Sequence, residues 1–173
     1  MTIPPDTKDW TWVLERPCPQ CGLESGAVAL ADVPDLLRDN AASWTDVLAR
    51  DDVRQRPQPT VWSPLEYACH VRDVHRVFRP RYLQMLSDDD PQFTNWDQDV
   101  AAVEGDYGRQ EPSSVARELT AAADDVAALL GGVTTEQAHR PGRRSNGSRF
   151  TVTSLARYHL HDVAHHLWDV RRP

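Results

Sequence analysis

The residues able to do chemistry concentrate near the C-terminus, where positions 153–169 read T-S-L-A-R-Y-H-L-H-D-V-A-H-H-L-W-D. Four of the seven histidines lie in this stretch, and His161 and His165 are spaced H-x-x-x-H. On a helix, residues four apart sit about 40° apart around the axis with Cβ atoms ~5–6 Å apart. Two imidazoles so placed can share one metal ion. On a helical wheel Ala156, Leu160, Val163, Ala164 and Leu167 form an apolar stripe, with His161, His165 and Trp168 at its edge. His159, Asp162, His166 and Asp169 fall on the other side, where water is the expected neighbour.

A third imidazole is available upstream. His70 borders the apolar stripe of a second helical pattern, near the angular positions of Val74 and Val77. If the two helices are neighbours in a bundle, His70, His161 and His165 form a His₃ site. Such a site suits a divalent transition metal, zinc first, with nickel or iron as alternatives. It leaves a coordination position open to water or substrate, the mark of a catalytic site. His75 lies about 140° from His70 around the helix and reads as a half-exposed surface residue.

Weaker candidates lie outside these helices. Cys18 and Cys21, in C-P-Q-C-G, resemble one zinc knuckle and mark a second candidate metal site. A structural zinc wants four ligands, and the absent half would come from Cys69, a histidine or the same turn of another subunit. Asp97 and Asp99, beside Trp96, are candidate bases on a lid-like loop. Asp162 is a candidate for orienting an imidazole. Glu66 could do the same, but a helix cap already accounts for it. Arg143, Arg144 and Arg149 are candidates for binding a substrate anion.

Four helical patterns must position these groups. The first spans about 33–49, with Asp32 as cap and Pro34 in the first turn. The second starts at Ser63-Pro64-Leu65-Glu66, a capping box with proline at its first position, and runs to about 86 with a kink expected at Pro80. The third covers about 113–130 and stops at Gly131-Gly132. The fourth is the histidine helix. Positions 87–111 are a long connection that is either functional or carries a short helix. Asn146-Gly147 signals a hairpin turn between two very short strands. The fold class expected is all-α, a four-helix bundle over residues 32–173 behind an irregular N-terminal segment, 1–31.

Two runs carry a family resemblance. W-S-P-L-E-Y-A-C-H-V-R-D at 62–73 and L-H-D-V-A-H-H-L-W-D-V at 160–170 resemble the DinB-like four-helix-bundle superfamily. The resemblance spans about residues 32–170. It implies a metal triad at His70, His161 and His165, and activities like those of mycothiol- and bacillithiol-dependent S-transferases and maleylpyruvate isomerases. Many members read H-H-R-G-Q after the histidine pair, whereas this chain has His165-His166-Leu-Trp-Asp; helical phase selects His165 over His166.

Composition bounds the function. The net charge of −7, with no basic stripe, argues against nucleic acid and anionic membrane surfaces. No apolar run approaches a membrane span, and Met-Thr-Ile-Pro-Pro-Asp lacks the features of a secretory leader, so the expected compartment is the cytoplasm. The expected activity is thiol S-transfer or isomerisation of a small electrophilic substrate, using a low-molecular-weight thiol such as mycothiol. Metal-dependent hydrolysis and a non-enzymatic metal-binding module are the alternatives. A homodimer is the expected assembly.

Overall fold

Four long helices surround one apolar core in the computed structural model, which describes residues 9–171. The start read above as lacking a leader, and the first eight residues of the irregular segment, lie outside the described residues. The helices are α1 (Val33–Leu48), α2 (Pro64–Ser87), a short α3 (Gln98–Glu104), α4 (Pro112–Gly131) and α5 (Val152–Arg171). The strands β1 (Pro141–Arg143) and β2 (Arg149–Thr151) form an antiparallel hairpin in which Gly142 pairs with Phe150. Gly147 takes the positive φ that the Asn146-Gly147 turn needs.

Local signals set most of these boundaries. Ser63 Oγ accepts from Glu66 N at 3.3 Å and Glu66 Oε2 accepts from Ser63 N at 2.8 Å, which completes the capping box that starts α2. Arg56 also pairs with Glu66, so this carboxylate is fully engaged in fixing the helix start. Pro80 lies inside α2, which carries on to Ser87. Asp32 makes no side-chain cap to α1, contrary to expectation, because a 3-10 turn (Leu30–Asp32) runs directly into the helix. The long connection carries α3 and a 3-10 turn (Tyr107–Arg109).

Packing is not in chain order. α1 packs on α4, α4 on α2, α2 on α5 and α5 on α1, so α2 and α5 are neighbours. Their interface is what brings the histidines of the two helices together. The core is built from Leu37, Trp44, Leu65, Val74, Met85, Leu119, Val126, Leu155 and Val163 among others. Asn40 donates to the carbonyl of Val163 at 3.1 Å and accepts from the Trp44 indole, tying α1 to α5.

The N-terminal segment packs on α5 through two short 3-10 turns, Thr11–Leu14 and Ser25–Ala27. Val13 and Ser25 are fully buried there, and Ser25 Oγ donates to the Val13 carbonyl at 2.8 Å. Gly26 is required by close approach, since a Cβ there would meet the Leu14 carbonyl oxygen at 2.1 Å. Arg157 of α5 donates to the Val28 carbonyl at 2.8 Å. As a result α5 has protein on more than one face. No described helix is long and apolar enough to cross a membrane.

Candidate metal centres on the last helix

Two clusters of metal-ligating side chains flank one another along α5. In the first, His70, Asp162 and His166 bring one donor atom each to within 4.8 Å of one another. In the second, Cys18, Cys21, His161 and His165 do the same. The expected set of His70, His161 and His165 is not one of these groups among the described residues. His161 and His165 turn toward the N-terminal cysteines, and His70 meets the pair one residue further along the helix. One residue is about 100° of rotation, enough to send the two i,i+4 pairs to different neighbours.

In the first cluster, His70 is 1% exposed and neither ring nitrogen makes a hydrogen bond. Its Nε2 stands 3.7 Å from Asp162 Oδ1, and His166 Nε2 stands 3.4 Å from the same oxygen. His166 Nδ1 donates to Asp169 Oδ2 at 3.2 Å, and its Nε2 is turned toward Asp162. The ring of His70 stacks on Trp96 at 5.4 Å and meets Trp62 at 5.1 Å, while Tyr67 covers His166 at 5.3 Å. Burial lowers the pKa of His70 and keeps it neutral. Burial alone would raise Asp162, but the adjacent His70 and His166 outweigh it and hold the carboxyl well below the usual range.

In the second cluster, Cys18 Sγ lies 3.6 Å from His165 Nδ1. His161 is 3% exposed and its Nε2 has no hydrogen-bond partner. The Trp10 ring covers both imidazoles at 5.8 and 5.1 Å. Burial, then the neighbouring His165, lowers His161 to about 4. Burial, reinforced by Cys18, raises the Cys21 thiol to about 11, so the free thiol is no ready nucleophile.

A cavity of about 130 Å³ opens beside these groups, lined by Trp10, Gln98, Arg144, Tyr158, Asp162, His161, His165 and His166. Of the three arginines named from sequence, Arg144 lines this cavity; Arg143 and Arg149 instead pair with Asp90 at 3.0 and 3.3 Å. Burial raises the Tyr158 hydroxyl to about 12, so it stays protonated. The candidate bases Asp97 and Asp99 stand elsewhere. Asp97 caps α3, accepting from Asp99 N and Val100 N at 3.0 Å, and Asp99 lines a different groove with Arg54 and Glu66. Neither lines the histidine cavity. Wider grooves of about 640 and 600 Å³ run past Trp62 and Arg56, the larger one also lined by Tyr67 and Asp169.

The model of the DinB superfamily matches residues 35–170. The chain belongs to the DinB superfamily. Among solved structures, this DinB-superfamily chain resembles YfiT from Bacillus subtilis, described as "a probable metal-dependent hydrolase with an unusual four-helix bundle topology". The TM-score is 0.71 at 17% sequence identity, over 83% of this chain and 88% of YfiT. No protein of curated function matches it in sequence.

Sequence reasoning about this DinB-superfamily chain missed His166 as an inward group and Asp169 as its partner. It also placed His159 and His75 toward water. Both are fully buried, in a chain where Tyr82 Oη, His159 and His75 stand 3.1 Å apart in turn. A signal for the first miss was present: Asp162 and His166 have the same i,i+4 spacing as His161 and His165.

Proposed function

We propose that the protein is a metal-dependent thiol transferase in which His70, Asp162 and His166 hold one divalent transition metal ion, zinc first. The observation that carries the reading is His70, a buried, neutral ring with two unsatisfied nitrogens beside a carboxylate and a second imidazole. A buried polar group without a partner costs ~1–3 kcal/mol, and a cation offsets that cost. Two imidazoles and a carboxylate match the donor set of catalytic zinc sites with an open position. An ion bound there supplies Lewis acidity that lowers the pKa of a thiol or water reaching it.

The chain's own residues divide the remaining work. Asp169 fixes the tautomer of His166. Trp62, Trp96 and Tyr67 keep water from the back of the cluster. Arg144 binds an anionic group of the thiol or substrate, and protonated Tyr158 donates a hydrogen bond into the cavity. With Asp162 engaged as a ligand, the cavity lining among the described residues offers no further carboxylate to act as base. Thiol chemistry fits that lining better than hydrolysis does, because a thiol near an ion gives up its proton without one. The sulfur then forms the new bond to an electrophilic carbon, whose leaving group departs with its electron pair.

The test is direct. Zinc-loaded protein is incubated with mycothiol and a haloarene electrophile, and thioether formation is followed by mass spectrometry. His166→Ala should abolish it. Ester hydrolysis by the loaded protein without thiol, and no thioether, would favour the hydrolytic activity ascribed to YfiT.

A further inference from the structure

We propose that Cys18, Cys21, His161 and His165 form a second, closed zinc site that fastens the N-terminal segment to α5. It goes beyond the thiol-transferase reading and stands independently of it, since it uses none of the same ligands.

Four donors of two kinds converge from two distant parts of the chain. The cysteines sit on a tight knuckle in which Cys18 N donates to the Leu23 carbonyl at 3.0 Å and Gly22 N to the Cys18 carbonyl at 2.9 Å. Gly22 has φ of 75°, a value glycine adopts without strain, so the C-P-Q-C-G turn is shaped to aim both sulfurs one way. The histidines come from successive turns of α5. In tetrahedral zinc sites with Zn–S ≈ 2.3 Å and Zn–N ≈ 2.0–2.1 Å, ligand atoms lie roughly 3.3–3.8 Å apart. The 3.6 Å between Cys18 Sγ and His165 Nδ1 falls in that interval. All four donor atoms lie within 4.8 Å of one another.

An independent observation points to a ligand. His161 Nε2 is buried and unsatisfied, within this group of donors. Charge is consistent as well: two thiolates neutralise Zn²⁺, so the site adds no net charge to an interior covered by Trp10. The His70–Asp162–His166 set leaves a net positive charge, as suits a position that receives an anionic thiolate. Four protein ligands leave no open position, which makes the Cys₂His₂ site structural.

The consequence reaches the other cluster. His161 and His165 each precede a member of the first set, Asp162 and His166, by one residue. Holding the first pair against the cysteines fixes the rotation of α5, which in turn sets where the second pair points. The same attachment seats Trp10 at the wall of the cavity.

Cobalt substitution separates the two sites, because only the cysteine site gives thiolate-to-cobalt charge-transfer absorption. The wild type should show that band. Cys18→Ser and Cys21→Ser should abolish it and lower the metal content from roughly two ions per chain to roughly one. His70→Ala should lower metal content by the same amount and leave the band intact. Should the serine variants fail to fold, an organomercurial titrated into native wild-type protein with a chromogenic zinc chelator decides the matter. Release of about one zinc as the two thiols react supports the site. No zinc release, no charge-transfer band, or a Cys18–Cys21 disulfide in protein prepared without oxygen and with zinc present would overturn it. Absence of thioether formation by wild-type protein that shows the band would count against the transferase reading alone.

Discussion

Asp169 accepts the Nδ1 proton of His166 at 3.2 Å and thereby directs the opposite ring nitrogen toward Asp162, 3.4 Å away. Three residues along one helix thus make a carboxylate–imidazole–carboxylate relay whose far end is the proposed metal site. Carboxylate partners of this kind typically change metal affinity by 10–100-fold when removed. Asp169→Asn should weaken zinc binding at the His70 cluster by about that factor, with the helical content of the protein unchanged. Competition with a chelator of known affinity, on a Cys18→Ser background, measures it. Unchanged affinity would mean that the tautomer of His166 is set by other contacts.

His70 offers a test with opposite signs in the two states. Without metal, its unsatisfied ring is a burden on the fold, so His70→Leu should raise the unfolding free energy by ~1–3 kcal/mol in the presence of chelator. With zinc at about 100 times the dissociation constant, the wild type should gain ~2.7 kcal/mol and the variant should gain nothing from this site. Denaturant midpoints in the two buffers read both effects. A variant less stable than wild type in chelator would show that the ring is satisfied in the metal-free fold.

Among the described residues, Arg144 is the arginine of the cavity lining. Its hydrogen bond to the Tyr158 hydroxyl is long, 3.5 Å, so its guanidinium is held loosely and is available to an anion. Charged hydrogen bonds contribute ~1.5–3 kcal/mol, or roughly ten- to hundredfold in binding. Arg144→Ala should raise KM for an anionic thiol or substrate by that factor and leave kcat nearly unchanged. A fall in kcat at constant KM would place Arg144 in the chemical step instead.

What the sequence revealed, and what it hid, follows from range. Ser63, Pro64 and Glu66 specify the start of α2 because a capping box is complete within four residues. The partners of His161 could not be read that way. A helical wheel assumes one buried face, but the N-terminal segment packs on α5, and its cysteines lie some 140 residues away in the chain. With more than one face of α5 covered, Asp162, His166 and His159 are drawn inside, and the assumption of an exposed side fails. The capping role of Asp97 was hidden for a local reason: α3 is a helix too short to stand out from the surrounding acidic loop.

The buried pair His75–His159 predicts how the fold responds to acid. Both rings are fully buried, and burial lowers His75 to about 4 from an ordinary value near 6.5. Above pH 6.5 this residue is neutral in both folded and unfolded chains, and its full contribution to stability is present. As the pH falls below 6.5 the unfolded chain takes up the proton first, so stability drops, until below about 4 the folded ring is protonated as well. Across that window the loss from His75 is about 3 kcal/mol, with a slope approaching ~1.4 kcal/mol per pH unit. His159, lowered by burial and then by His75, adds to it in the same direction. His75→Phe removes one titrating ring and the 3.1 Å contact to His159, so it should cost stability at pH 7.5 yet flatten the decline between pH 6.5 and 4. Urea unfolding at a series of pH values compares the slopes. Parallel curves for wild type and variant would show that His75 takes up its proton equally in both states, and that the acid sensitivity lies in other groups.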